Sequence, residues 1–306
     1  MTRDGFRHEA LFYATDDEFL DGTTSFIRDA LAADEPILVV VEADKMERLR
    51  RELGAEAARV RFADMGDVGA NPARIIPAWQ EFVDEHSGQG RPLRGIGEPI
   101  FPGRSPAELV ECQLHESLLN VAFDGGSDWS LICPYDADAL PRPVLDEARR
   151  SHRLVTEGGV RRRSEAYADA VPSGALPEPA AEPAQLPFER ADLGLVRRFV
   201  RDSAQRAGFA SDRMPDLVLA INEIVSNSIR HAPGGGGVAR AWRDRDMFVC
   251  EVSDRGRIED PLAGREPLAY DAPGGRGLWL VNHLCDLVQV RSSAAGTVVR
   301  LHMQLA

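Results

Sequence analysis

Glu223 and Asn227 stand four residues apart in the stretch Asp216-Leu-Val-Leu-Ala-Ile-Asn-Glu-Ile-Val-Ser-Asn-Ser-Ile-Arg-His231. A helix stacks such a pair one turn above the other on a single face. A carboxylate can take a proton or orient a nucleophile, and an amide oxygen is a hard ligand suited to Mg2+ carrying nucleotide phosphates. A solvated helix face has the same composition, so the pair alone decides nothing. Further along, Gly274-Gly-Arg-Gly277 precedes a helical pattern. Glycines let backbone approach an anion closely, and the first N–H groups of a helix point at it with the helix dipole behind them. Between these two stretches, Ser253-Asp-Arg-Gly256 puts an aspartate at the end of a strand pattern. The ordered set of carboxylate-amide helix, strand-end Asp254 and glycine-rich helix start reads as a nucleotide pocket.

The elements that must position these residues follow from periodicity. Leu217, Ala220, Ile221, Ile224 and Ser228 recur every three or four residues, which predicts an amphipathic helix with Asp216, Glu223, Asn227 and Arg230 on the opposite face. Ahead of it, Asp192 to Arg206 predicts a helix stopped by Gly208. After it, Val238–Trp242 and Met247–Val252 predict an antiparallel hairpin, and Leu278–Leu287 a helix whose face is Leu280, Val281, Leu284 and Cys285. Val288–Arg291 and Thr297–Gln304 predict the last strands. Helices on one face of a mixed sheet make an α+β two-layer sandwich.

The amino-terminal half reads differently. Strand patterns at 10–13, 37–41, 60–63, 93–97 and 129–133 alternate with helical patterns at 17–33, 45–53, 71–85 and 106–123, and another follows Pro141. This predicts an α/β domain with a largely parallel sheet. Ligands in such sheets sit at the carboxyl ends of strands, where this half carries Thr15, Glu42, Asp64, Glu98, Tyr135 and Asp136. Both helix capping and a ligand pocket account for those residues. No glycine-rich phosphate loop follows any of the strands. Between residues 164 and 186 the composition shifts to Ala, Pro and Glu, as in Pro177-Glu-Pro-Ala-Ala-Glu-Pro183, which predicts an interdomain linker. The expected division is 1–163, 164–186 and 187–306.

Composition narrows the chemistry. The 306 residues are 43% hydrophobic, enough for two cores. A net charge of -13 repels a phosphate backbone, Arg161-Arg-Arg163 is the only basic run, and direct nucleic-acid binding is not expected. Lys45 is the only lysine and fits no phosphate-binding motif, so any phosphate must be held by backbone, arginine and metal. Cys112, Cys133, Cys250 and Cys285 are scattered singly, which argues against a paired-cysteine zinc site or a disulfide framework and leaves them as core or surface thiols. The longest apolar run, Pro36–Val41, is too short to span a bilayer, and Met-Thr-Arg-Asp-Gly5 lacks a signal peptide's apolar core. A cytoplasmic protein with no membrane association is expected.

Two resemblances sharpen the reading. His8-Glu-Ala-Leu-Phe-Tyr13, Ile96-Gly-Glu-Pro-Ile-Phe-Pro-Gly-Arg104, Glu111 through Asn120 and Cys133-Pro-Tyr-Asp136 together resemble the MEDS (methanogen/methylotroph sensory) domain. That implies an input domain for a small organic ligand, with His8 as a candidate sensing residue, although a lone histidine near a strand start is more often structural. His115-Glu116 superficially resembles the phosphoacceptor box of sensor histidine kinases. The helix ends at Phe123-Asp-Gly-Gly126, without the long dimerising hairpin such a box needs.

The stretch 187–306 resembles the GHKL (Bergerat-type) ATPase fold, and within it the anti-sigma-factor serine kinases of partner-switching systems. Its N box corresponds to Glu223 through Asn227 and on to His231, its first glycine box to Asp254-Arg-Gly256, its second to Gly274 through Leu278, and its late Gly-Thr pair to Gly296-Thr297. The resemblance implies ATP and Mg2+ as cofactors. Asp254 then accepts from the adenine amino group with Thr297 in support, and Asn227 ligates Mg2+. Glu223 orients or deprotonates a serine hydroxyl. Gly275, Arg276 and Gly277 surround the phosphates, and Gly256 and Leu278 also bind the cofactor. It further implies a sigma factor and a STAS-type anti-anti-sigma protein as partners, and a homodimer, to which no residue pattern adds. The first glycine box departs from Asp-x-Gly-x-Gly, running Asp254-Arg-Gly-Arg257 and on to Ile258 without the second glycine. That departure keeps open a nonenzymatic partner-binding switch with a structural ATP, beside the serine kinase.

Overall fold

A computed structural model describes residues 5–88, 90–126, 128–172, 174–266 and 275–305. The chain divides into two compact units, one ending at Pro172 and the other following it.

The first unit alternates strand and helix: β1 (Phe6–Tyr13), α1 (Asp16–Ala32), β2 (Ile37–Val41), α2 (Ala43–Leu53), β3 (Arg61–Asp64), α3 (Met65–Val68), α4 (Ile75–His86), β4 (Leu93–Gly97), α5 (Pro106–Ala122), β5 (Trp129–Asp136), α6 (Arg142–Ser151), β6 (Leu154–Glu157) and β7 (Val160–Arg163). The sheet order is β3-β2-β4-β5-β1-β6-β7, parallel except for the β6–β7 hairpin. Every residue of β2 is buried, as a strand covered on both faces requires. Thr15 caps α1 by accepting from the Glu18 N–H, and Ser105 and Glu108 close a reciprocal capping box on α5. Sequence periodicity did not predict β6 and β7. β7 is Val-Arg-Arg-Arg, exposed along its whole length at the sheet edge, and carries no apolar alternation to read.

The second unit contains β8 (Ala184–Phe188), α7 (Leu193–Ala207), α8 (Met214–His231), β9 (Gly237–Asp244), β10 (Met247–Asp254), α9 (Arg276–Leu284), β11 (Leu287–Ser293) and β12 (Gly296–Gln304). Its sheet, β11-β12-β10-β9-β8, is antiparallel throughout, where a mixed sheet was expected. β8 begins at Ala184, inside the stretch expected to be linker. As an edge strand it tolerates Pro187, which has no N–H to give a second neighbour. The core lies between helices and sheet. Leu217, Ala220, Ile221, Ile224, Val225 and Ser228 form the buried face of α8, joined by Val196 and Val200 of α7 and Val281 of α9, against Phe248, Cys250, Val252, Leu301 and Met303. Gly208 ends α7 in the left-handed conformation (φ 84°), as its position in the sequence predicts. All four cysteines are buried free thiols. Among the described residues no helix is long and apolar enough to cross a membrane.

Candidate functional site

In the second unit, four elements converge on a cavity of about 340 Å³ whose lining includes Asn227 and Ser228 of α8, Asp254 at the end of β10, Gly256, Gly275, Leu278 of α9 and Thr297 of β12. The antiparallel register places Asp254 opposite Thr297, which is how residues 43 positions apart in sequence reach one site. Ser228 Oγ donates to Asp254 Oδ2 at 2.6 Å, and the Gly256 N–H donates to Asp254 Oδ1 at 2.6 Å. Each carboxylate oxygen thus accepts one bond and keeps a lone pair for an incoming donor. Thr297 Oγ1 donates to the Gly256 carbonyl at 2.9 Å and lies 2.9 Å from Ser292 Oγ, which in turn accepts from the Ile258 N–H at 2.8 Å. This chain of bonds fixes the backbone that follows Asp254.

Glu223 and Asn227 are half-buried on the exposed side of α8, one turn apart. The start of α9 meets them closely. A Cβ at Gly277 would lie 3.0 Å from Glu223 Oε2 and 3.2 Å from Asn227 Nδ2, closer than either neighbour accommodates without moving. Glycine at this position lets the helix start abut the carboxylate-amide pair with both side chains where they are. Arg276, the first residue of α9, is exposed, and Gly275 is its N-cap. Gly274, expected to open the second glycine box, lies outside the described residues. Ile224, Leu262, Ala263, Leu278 and Val299 give the cavity apolar walls, and Asp260 and Glu266 also line it.

Arg257 lines the cavity and is itself exposed. The second glycine of the box falls, counted from Asp254, at Ile258 rather than Arg257; the described non-glycine residues with positive φ are Asp34 and Arg245, so Ile258 stands there without left-handed backbone strain. Gly256 is constrained instead by space, since a Cβ there would fall 2.8 Å from Asp254 Oδ1 and 3.3 Å from Ala232 Cα. The donor set fits Mg-ATP: apolar walls suit a purine, Asp254 is a rigid acceptor, Asn227 offers an amide oxygen, and a side-chain-free helix start stands beside it. A larger open groove of about 620 Å³, lined by Arg197, Arg201, Met214, Leu219 and Asn222 among others, contains none of these groups.

Sequence reasoning placed Ser228 among the apolar face and missed its bond to Asp254. Its position directly after Asn227 was the available signal. In the first unit, the strand-end residues divide. Thr15 and Asp64 cap helices, and Asp136 accepts from the N–H groups of Asp138 and Ala139. Glu98 is fully buried, accepting from Lys45 Nζ at 2.6 Å and Tyr13 Oη at 2.9 Å. Burial pushes Glu98 up to about 7 despite Lys45, and burial together with Glu98 raises Tyr13. His8 is buried on β1, where desolvation, reinforced by His152, drives it down to about 4.

Comparison with known proteins accords with both halves. Residues 7–153 match the family described as MEDS, the methanogen/methylotroph, DcmR sensory domain, and residues 186–303 match the histidine kinase-like ATPase domain. A relative in Listeria monocytogenes named serine-protein kinase RsbW is 30% identical over 128 residues, 38% of this chain and 82% of the relative. One of the same name in Halalkalibacterium halodurans is 29% identical over 122 residues, 36% of this chain and 74% of the relative. The solved RsbU and RsbW domains of a Mycobacterium tuberculosis protein align at 22% identity and a TM-score of 0.32, covering 41% of this chain and 33% of that one.

Proposed function

We propose a function from the premise that this chain belongs to the histidine kinase-like ATPase family, among the serine-protein kinases RsbW, with a MEDS domain ahead of the ATPase domain. It is a signal-responsive anti-sigma regulator. It binds Mg-ATP, phosphorylates a serine of a small STAS-type anti-anti-sigma partner, and is thereby released to hold a sigma factor. The observation that carries this reading is the close approach of Gly277 to Glu223 and Asn227, which brings a carboxylate and a helix start against Asn227, itself in the lining of the cavity that also holds Asp254.

In this reading Asp254, held by Ser228 and the Gly256 N–H, accepts from the adenine amino group, and Thr297 fixes the loop behind it. Asn227 ligates Mg2+, while Gly275, Arg276 and Gly277 border the phosphates. Bound Mg-ATP supplies the phosphoryl group and the charge that neutralises its transfer. Glu223 orients the partner's serine hydroxyl and takes its proton. The MEDS domain is the input, its signal a small organic compound.

Calorimetry of Mg-ATP with the full chain, Asn227→Ala and Asp254→Ala tests the pocket: binding weakened in both variants supports it, and binding unchanged in both removes it. Phosphate transfer to a STAS protein that survives Glu223→Ala would remove Glu223 as the base. Binding without any transfer would favour the nonenzymatic switch, for which the place of Arg257 in the cavity wall speaks.

A further inference from the structure

Four side chains from separate elements of the first unit converge on one buried point: His8 of β1, Glu116 of α5, Cys133 of β5, and His152, which follows α6. All are at most 2% exposed, and one ligating atom from each lies within 4.8 Å of all the others. β1 and β5 are parallel neighbours, with His8 paired to Leu131, so Cys133, two residues on, points to the same face as His8.

Three of the distances are close to those of a coordination shell. His8 Nε2 lies 3.0 Å from Glu116 Oε2 and 3.4 Å from Cys133 Sγ, and His152 Nε2 lies 3.4 Å from the same carboxylate oxygen. A tetrahedral ion with bonds of about 2.0 to 2.3 Å separates its ligands by roughly 3.3 to 3.6 Å. Yet these contacts do not satisfy the groups that make them. Neither oxygen of Glu116 takes part in a well-formed hydrogen bond, nor does His152 Nε2.

The outer contacts explain why. Asn120, one turn after Glu116, donates through Nδ2 to the Ser151 carbonyl at 2.8 Å, which turns its Oδ1 toward His8 Nδ1 at 3.3 Å. His152 Nδ1 lies 2.8 Å from the Ala148 carbonyl. The Asn120 amide oxygen and the Ala148 carbonyl only accept, so each Nδ1 donates to its partner and each ring turns its Nε2 toward the carboxylate. Two imidazole nitrogens and a carboxylate facing one another in a dry interior make a set that a bound cation would satisfy. Histidines oriented through their second nitrogen by carbonyl oxygens are the usual outer layer of a metal site.

We propose that His8, Glu116, Cys133 and His152 bind one divalent transition-metal ion of the zinc type. Two imidazoles, a thiolate and a carboxylate suit such an ion and not Mg2+ or Ca2+. Binding forms two metal–nitrogen bonds, one metal–sulfur and one metal–oxygen bond in place of the ion's bonds to water, and the displaced waters and the Cys133 thiol proton leave to solvent. The site is independent of the nucleotide pocket and goes beyond the kinase reading.

The test is spectroscopic. The full-length, untagged chain is stripped with chelator, and Co2+ is titrated in as a probe for zinc. One equivalent is expected to bind, giving the visible bands of tetrahedral cobalt and a thiolate-to-cobalt charge-transfer band in the near ultraviolet. Zn2+ should displace it. Cys133→Ser should abolish the charge-transfer band, Cys112→Ser, at a buried thiol outside the cluster, should keep it, and Asn120→Ala should weaken affinity about 10- to 100-fold. Absence of these bands in the wild-type chain would overturn the proposal without recourse to any variant. Bands that persist in a folded Cys133→Ser protein would also overturn it.

Discussion

Ser228 Oγ on α8 donates at 2.6 Å to Asp254 Oδ2 at the end of β10, so the helix carrying Glu223 and Asn227 is tied directly to the residue expected to recognise adenine. A hydrogen bond to a charged acceptor contributes roughly 1.5 to 3 kcal/mol. Ser228→Ala leaves Asp254 with the Gly256 N–H alone and free to turn. Mg-ATP affinity in calorimetry should fall by about tenfold or more, since about 1.4 kcal/mol is a factor of ten. Unchanged affinity would mean that the bond holds helix to sheet and does nothing for the ligand.

Gly277→Ala separates stability from function. Alanine is favoured over glycine inside a helix by roughly 0.5 to 1 kcal/mol, so α9 itself gains. The new Cβ displaces the ends of Glu223 and Asn227. Thermal unfolding should therefore change little, while serine phosphorylation of a STAS partner drops at least about tenfold, the usual scale for misplaced catalytic groups. Full transfer activity in this variant would show that neither side chain needs its present position.

Gly296→Ala should act oppositely, through the fold. This residue has φ 134°, and a Cβ there would collide with the Asp254 carbonyl across the β10–β12 pairing. Chemical denaturation should record a loss of at least about 2 kcal/mol. A smaller loss would mean the strand pair has room to part at its end.

Glu98 gives the first unit a pH dependence. Its carboxyl is raised from 4.5 to about 7, with burial as the main cause. Between those values the folded chain holds a proton that the unfolded chain has released, so the stabilising contribution is complete below about 4.5 and is lost as pH rises through about 7. The shift corresponds to a stability change on the order of 3 kcal/mol. Unfolding measured across this window should show a shallower decline in Glu98→Gln than in the wild type, and an identical slope would remove Glu98 as the titrating group.

The second unit was largely legible because its chemistry is local. Glu223 and Asn227 are one turn apart, and the 3.6-residue period of α8 names its buried face correctly. Ser228 was misread because a small hydroxyl suits both a core stripe and a polar contact, and only the β10 register brings Asp254 to it. In the first unit, the apolar strands announced themselves, while the edge hairpin of β6 and β7 did not. His8, Glu116 and Cys133 lie in the blocks that resemble the MEDS domain, but nothing in those blocks announces their convergence with His152. Its four members come from four elements, and single cysteines spaced far apart carry no ligand motif until strand order and register are known.

Lys45 is 12% exposed at its side chain and is clasped by Glu98 and Tyr13. It is also the only lysine, so every other side-chain positive charge of fixed sign is arginine. Folded, the protein therefore offers almost no side-chain amine to acylating enzymes, tagging ligases or amine-reactive cross-linkers. Any lysine-directed modification must first open the first unit around Glu98, which makes reaction at Lys45 a chemical report on whether that unit is folded.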